Sequence, residues 1–402
     1  MIKRESYLQT LRNLRDVNVI KVATGVRRSG KSTILTQFRE ELEDAGLKTI
    51  FYNLEEKENE RFTRDPDSLY HQIISEIDPS VMNYIFIDEV QMVPEFERML
   101  DSLFIKPYTD IYVTGSNAYM LSSDIATILT GRYVELKVQP LTFSEFVQFF
   151  QTPHDRQQLF QTYLESGGFP EVANMLSGQA ATETTLYLQS VFQTILEKDI
   201  KKRKEIRDME DFRRVALYCL DNIGNLTSAN SIANALNAAS RVIDRKTVDE
   251  YIQAMIDCFL FYRAERYDIR GKNILRTGEK YYTVDLGLAN ALLGRPSSAN
   301  LGHRLENIVY LELKRRYGDV WIGKNYDKEI DFVVKNRQGE TEYYQVSLTI
   351  ADQSTLDREL SAIENTGDYY RRTILTLDLI DTDEKGIQCR NVINWLLDPT
   401  YS

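Results

Sequence analysis

The sequence predicts an α/β protein: a parallel sheet covered by helices, then a mostly helical stretch, then a second, smaller α/β part. Three observations predict it. From residue 19 to about 138, β-branched and aromatic runs alternate with helical periodicity, the pattern of a parallel sheet with helical crossovers. A glycine-bearing turn, Gly25 to Gly30, sits at the first strand-to-helix junction. After Pro140 the pattern turns helical, and aromatic-rich strands return only near Phe259.

Taken in order, residues 1–16 read as a short amphipathic helix with Tyr7, Leu8, Leu11 and Leu14 on one stripe. Strands are expected at Val19–Thr24, Thr49–Leu54, Tyr84–Asp88, Asp110–Gly115 and Tyr133–Val138. A helix carrying Ile34, Leu35, Phe38 and Leu42 ends at Gly46. Residues 142–220 read as helical, interrupted by Gly167-Gly168-Phe169-Pro170. Helices follow at Asp211–Asp221, Ser228–Leu236 and Lys246–Asp257, then strands at Phe259–Tyr267 and Lys280–Leu286. The last hundred residues read as a helix at His303–Tyr317, strands at Val320–Lys324, Glu329–Lys335 and Glu342–Thr349, then helix and strand. This gives four expected parts: 1–140, 141–210, 211–295 and 296–402.

Composition narrows the function classes. Of 402 residues, 43% are apolar and 27% charged, which is ordinary for a globular chain with a real core. Lys and Arg number 49 against 60 Asp and Glu, a net charge of −11. That excludes a general coat on nucleic-acid backbone, which needs a basic surface, but leaves room for a local basic face. Cys219, Cys258 and Cys389 are far apart and form no C-x-x-C pair, so neither a disulfide framework nor a zinc site is indicated. His71, His154 and His303 are equally scattered. The first 16 residues carry charges throughout, unlike a secretory leader, and no run approaches the ~18 apolar residues of a membrane span. A cytoplasmic placement without a membrane partner is expected.

Gly25-Val-Arg-Arg-Ser-Gly30-Lys31-Ser32 matches G-x-x-x-x-G-K-[ST], for which roughly 0.014 chance matches are expected in 400 residues at average composition. The glycines let successive N–H groups curl toward phosphates, and the following helix aims its positive end at the same anion. The expected nucleotide-binding residues are Gly25, Arg28, Ser29, Gly30, Lys31, Ser32 and Thr33. Lys31 would reach the β- and γ-phosphates of ATP, and the Ser32 hydroxyl would ligate Mg²⁺.

The apolar strand Tyr84-Ile-Phe-Ile-Asp88-Glu89 ends in two carboxylates. Asp88 is expected to join Ser32 in holding Mg²⁺, and Glu89 to orient and polarise the attacking water. The next strand ends in Thr-Gly-Ser116-Asn117, where Asn117 or Ser116 would bond the γ-phosphate or that water; the bland alternative is a polar turn. Arg132, beside Gly131, would stabilise transition-state charge in its own subunit or in a neighbour, or is simply an exposed arginine at a turn.

At these residues the chain resembles an AAA+-type ATPase, with the Lys31 loop, the Asp88-Glu89 strand and the Asn117 strand similar to Walker A, Walker B and sensor-1 elements. Thr-Gly131-Arg132 with Gln139-Pro140-Leu141-Thr-Phe143-Ser-Glu145-Phe146, Gly167-Gly168-Phe169-Pro170-Glu171 and Leu196-Glu-Lys-Asp199-Ile200 resemble a bacterial and archaeal family. In that family a helical and winged-helix region and a restriction-endonuclease-like domain follow the ATPase.

The resemblance implies a winged helix over 211–295, with Arg241, Arg245, Lys246, Arg270 and Lys272 available for DNA. Asp244, Asp249, Glu250 and Asp257 dilute that charge, which equally fits a protein-packing domain. Lys201–Lys204 reads as a solvated face, with part of a DNA track as the alternative. It further implies a nuclease-like end over 296–402, with Glu306, Asp331, Gln345 and Ser347 in the order acid, Asp, Glu/Gln-x-Lys. Ser347 stands where a lysine would help activate water, so that end is expected to be degenerate, with Glu329 at the surface. The reading that follows is an Mg²⁺-dependent ATP-hydrolysing switch or motor acting on DNA or a protein partner, with self-assembly open. An ATP-gated nuclease and a non-hydrolysing nucleotide sensor are the alternatives.

Overall fold

Helix α1, Glu5–Leu14, buries Tyr7, Leu8 and Leu11 and turns Glu5 and Asn13 to solvent, as its periodicity requires. The computed structural model describes residues 2–116, 129, 131–150, 155–178, 180–201, 206, 208–239, 242–295, 300–364, 366–379 and 381–398. The chain divides into two units, Met1–Pro140 with Asp257–Phe259, and Leu141–Ile256 with Leu260–Ser402.

In the first unit, α1 is followed by β1 (Ile20–Thr24), α2 (Lys31–Asp44), β2 (Lys48–Asn53), α3 (Pro66–Glu76), β3 (Asn83–Asp88), α4 (Phe96–Phe104), β4 (Thr109–Gly115) and β5 (Tyr133–Lys137). The sheet order is β2-β3-β4-β1-β5, and every pairing is parallel. The five strands expected from the sequence are all present, with ends shifted by about one residue. β1 and β3 are buried along their whole length, which is why they read as continuous apolar runs rather than alternating ones. Two cores result. One packs Leu8, Leu11, Ile34, Leu35 and Phe38 against Phe86 and Tyr112. The other packs Leu69, Ile73, Met99, Leu100 and Leu103 against Val22, Ile85, Ile87 and Val113.

The second unit begins with short helices: α5 (Phe143–Val147), α6 (Arg156–Ser166), α7 (Pro170–Ser177) and α8 (Thr184–Thr194), which runs on into a π-helical turn, Ile195–Ile200. A capping box between Thr142 and Glu145 starts α5. Then come α9 (Met209–Asp221), β6 (Leu226–Thr227), α10 (Ala229–Ala239), α11 (Arg245–Asp257), β7 (Phe261–Asp268), β8 (Asn273–Thr283) and α12 (Leu286–Leu293). The chain continues through α13 (Leu301–Tyr317), β9 (Val320–Asn325), β10 (Lys328–Lys335), β11 (Thr341–Ser347), α14 (Gln353–Ile363), β12 (Arg371–Thr376), β13 (Thr382–Glu384), β14 (Ile387–Asn391) and α15 (Val392–Leu397).

These strands make one nine-stranded sheet, β13-β14-β12-β11-β10-β9-β7-β8-β6. The hairpin β7–β8, with Arg270-Gly271-Lys272 at its turn, joins the later strands through a parallel β7–β9 pairing. The strand expected to reach Leu286 stops at Thr283 because Asp285 caps α12, accepting from Leu288 N at 2.8 Å. The same carboxylate accepts from Gly168 N at 2.6 Å. Burial pushes Asp285 up from its ordinary 3.8 to about 6, against the N–H groups of Gly168, Leu288 and Gly287, which favour its charge. A Cβ on Gly287 would lie 1.9 Å from Ser166 O, and one on Gly168 would lie 2.3 Å from Leu141 O. The Gly-Gly-Phe-Pro segment is therefore a backbone-to-backbone packing joint.

Candidate functional site

The phosphate-loop candidate leaves the carboxyl end of β1 and enters α2. Gly25 has φ 144°, and a Cβ there would meet Val138 O at 2.0 Å. Gly30 (φ 98°) and Arg28 (φ 70°) are also left-handed, which curls the segment between two regular elements. Lys31 is the first residue of α2 and is buried; its Nζ donates to Gly25 O at 3.0 Å and Val26 O at 3.1 Å. Ser29 Oγ is buried and has no hydrogen-bond partner among the described residues. Thr33 is half-buried on the first turn of α2, and the Arg28 side chain is exposed.

The carboxylates at the end of β3 meet this loop. Ser32 Oγ donates to Asp88 Oδ1 at 2.9 Å. Thr114 of β4 donates to the same Asp88 oxygen and accepts from Glu89 N at 2.8 Å. Glu89 takes a left-handed turn, φ 56°, and is buried. Burial pushes its carboxyl above the ordinary range; Lys31 and Arg27 oppose this and Asp88 adds to it. Ser116 Oγ donates to Glu89 Oε2 at 3.3 Å, and Gln91 Nε2 also donates to that oxygen. Lys31 and Ser32 at the start of α2 and Asp88 and Glu89 at the end of β3 are thus brought together from two sequence-separated segments, while Asn117 lies outside the described residues.

Arg132 is not brought to this loop. Tyr133 pairs with Ile20, and Arg132 O accepts from Ile20 N at 2.7 Å, so Arg132 stands at the amino edge of the sheet. The loop leaves the carboxyl edge, about 13 Å further along β1 at ~3.3 Å per residue. The Arg132 guanidinium pairs with Asp101 of α4 and lies over the Phe104 ring, 5.6 Å from its centroid. Of the two roles expected for it, the one in its own subunit's site is corrected by this placement.

Two residues absent from the sequence reading support the loop. Arg4 is buried and donates through Nη1 to Ser29 O at 3.0 Å and Gln139 O at 2.8 Å, and through Nη2 to Pro140 O at 3.3 Å. Thr114, quoted only as part of a strand, carries the link between Asp88 and Glu89.

The donor set fits a nucleotide polyphosphate and Mg²⁺. A glycine cradle that no Cβ could share, an orphaned buried hydroxyl at Ser29 and a buried lysine suit phosphates. A hydroxyl and a carboxylate 2.9 Å apart are hard oxygen donors of the kind Mg²⁺ takes alongside phosphate oxygens.

Residues 17–147 match the family described as an AAA domain, and residues 157–299 match a domain of unknown function, DUF8612. An uncharacterized protein of Haemophilus influenzae is 36% identical over 406 residues, with 99% of each chain covered. The chain belongs to that protein's family and carries an AAA domain at residues 17–147. An uncharacterized protein of Methanocaldococcus jannaschii is 26% identical over 392 residues, covering 92% of this chain and 84% of that one. The solved structure of a Walker-type ATPase of Pyrococcus abyssi aligns with a TM-score of 0.50 at 16% identity, covering 73% of this chain and 96% of that one, a likeness of fold.

In this AAA-domain protein the second unit holds the other carboxylates singled out from the sequence. Glu306 is buried on α13, Asp331 is half-buried on β10, and Gln345 and Ser347 are buried on β11. Asp331 Oδ2 accepts from Val346 N at 2.8 Å, and Gln345 Nε2 donates to Glu359 at 3.0 Å. Ser347 Oγ donates to Thr349 O at 2.9 Å. A lysine from outside that series reaches two of the carboxylates: Lys280 of β8 is buried, with Nζ 2.9 Å from Glu306 Oε1 and 2.8 Å from Glu329 Oε1. Burial disfavours its charge, yet Glu306, Asp331 and Glu329 hold its pKa above the ordinary lysine value. Desolvation, then Glu306, hold Asp331 well above the usual carboxylate range against Lys280. Glu329 is therefore a half-buried ion-pair partner, which corrects its expected place at the surface.

The basic residues of α11 are matched within the helix, Arg245 to Asp249 at 3.7 Å and Lys246 to Glu250 at 3.8 Å. Lys201 pairs with Glu197 at 3.3 Å, Arg270 lies over Tyr326 at 4.9 Å, and Lys272 is exposed. Arg241 and 202–204 lie outside the described residues. No helix among the described residues is long and apolar enough to cross a membrane.

Proposed function

We propose that this chain binds ATP with Mg²⁺ and hydrolyses the terminal phosphoanhydride bond as a switch for a partner engaged by its second unit. The observation that carries the proposal is the 2.9 Å contact between Ser32 Oγ and Asp88 Oδ1, which joins the phosphate-loop helix to an acidic strand end. Ser32 and Asp88 would hold Mg²⁺, which supplies charge neutralisation on the phosphate oxygens. Lys31 leaves its two loop carbonyls and pairs with the phosphates. Glu89 orients a water at the γ-phosphate and takes its proton; its raised pKa brings its basicity closer to neutrality. Arg132, held by Asp101 at the far sheet edge, serves charge stabilisation only in a neighbouring subunit.

The internally matched charges of α11 favour a protein partner over a DNA backbone, because each neutralised lysine or arginine releases less counterion on binding. The test is phosphate release with Mg²⁺ and ATP. Lys31→Ala should lose nucleotide binding and turnover, and Glu89→Gln should bind ATP and release no phosphate. Full affinity and turnover in Lys31→Ala would sink the assignment.

A further inference from the structure

We infer that Gln91 is a positioning residue for this hydrolysis: it pins one Glu89 oxygen, leaves the other as the base, and offers its own oxygen to the attacking water. The inference rests on the proposed ATP hydrolysis.

Glu89 is followed by a 3₁₀ turn, Val90–Met92, in which Met92 N donates to Glu89 O at 2.9 Å. With Glu89 in the left-handed region, this turn folds the Gln91 side chain back onto the Glu89 carboxylate. Gln91 Nε2 donates to Glu89 Oε2 and lies 3.4 Å from Ser116 Oγ, which itself donates to Oε2 at 3.3 Å. Oε2 thus receives two donors, whereas Oε1 receives none among the described residues. A carboxylate oxygen that already accepts two hydrogen bonds is the weaker base, so the proton of a water goes to Oε1.

The orientation of the Gln91 amide is fixed by the same contact. Turned over, it would set an oxygen against the Glu89 oxygen, so the nitrogen must face the carboxylate. Gln91 Oε1 is consequently a buried acceptor, and it has no partner among the described residues. A buried acceptor left unpaired is destabilising, and an O–H donor beside Glu89 relieves it. A water held between Glu89 Oε1 and Gln91 Oε1 has both hydrogens directed, and the oxygen lone pair is left to face phosphorus.

Steady-state phosphate release and nucleotide affinity, measured on the full chain with Gln91→Met and Gln91→Glu, test this. Methionine keeps the length without donor or acceptor, and glutamate is isosteric but repels Glu89. Both should lower kcat by about 10- to 100-fold, with the ATP dissociation constant and KM within roughly twofold of native. A kcat within about twofold of native in either folded variant overturns the inference. So does a parallel loss of affinity and kcat, the mark of a merely structural residue. A native chain that binds ATP but releases no phosphate would instead overturn the hydrolysis reading itself.

Discussion

Arg4 donates through Nη1 to the carbonyl oxygen of Ser29 at 3.0 Å, so the amino-terminal segment grips the phosphate loop from behind. The same guanidinium holds Gln139 O and Pro140 O and lies over Tyr7, 4.6 Å from its centroid. Arg4→Ala leaves three carbonyls without this donor and should lower stability by about 1.5–3 kcal/mol. It should also weaken ATP binding several-fold, because Arg4 holds the carbonyl of Ser29 within the loop. Arg4→Lys should recover little, because a single ammonium cannot span three acceptors. Thermal unfolding beside a fluorescent-nucleotide titration decides it.

Gly25 meets two demands at once. Its φ of 144° disfavours any side chain, and a Cβ would sit 2.0 Å from Val138 O, a rigid backbone atom. Gly25→Ala should cost about 3 kcal/mol or more and abolish nucleotide binding. Gly46→Ala, at φ 74° with open space around it, should cost only about 1 kcal/mol. Equal costs in denaturant melts would contradict the close approach at Val138.

Lys280 is the counter-charge for carboxylates on α13 and β10. Lys280→Met removes it from a site where Tyr282 OH also donates to Glu306 Oε1 at 2.5 Å. The uncompensated charge should cost about 3–5 kcal/mol. Lys280→Met with Glu306→Gln should regain part of that loss, and a double-mutant cycle in urea measures it.

Asp285 gives a pH dependence with a defined sign. Its folded pKa, about 6, exceeds its ordinary 3.8, so the folded state holds the proton more tightly than the unfolded one. The contribution is fully present below 3.8 and is lost as pH rises through about 6, a change of about 3 kcal/mol. Asp285→Asn should flatten that part of the stability–pH curve, read as the difference between the native and variant unfolding free energies from pH 4 to 7. A constant difference across that range would show that the three N–H donors outweigh burial.

The phosphate loop and the acidic strand end were legible because each is local: one motif at a strand-to-helix junction, one apolar run ending in two acids. The parts that escaped are contacts made across long sequence separations. Arg4 reads as one more charge in a polar leader, and nothing in its neighbours tells of Ser29. Lys280 reads as a strand residue, and only the β7–β9 pairing and the packing of α13 bring it to Glu306 and Glu329. Lys21 interrupts the apolar β1 run, and its buried pairing with Asp110 follows from the β1–β4 register.

Arg132 carried a usable signal that its motif-like setting hid. In a parallel sheet the residue before a strand and the residue after its neighbour lie at opposite edges. A residue entering β5 could not stand beside a loop leaving β1. The Gly-Gly-Phe-Pro segment was visible as an interruption, but its partner Asp285, 117 residues away from Gly168, was not.

The sheet that runs from β6 to β13 without a break decides where this chain can be cut. A fragment starting at residue 300 would keep β9 but strip it of β7, leaving a row of backbone N–H and C=O groups bare on one side and ready to zip onto another copy. Anyone wishing to transplant the carboxyl-terminal strands must take the hairpin at 261–283 along with them.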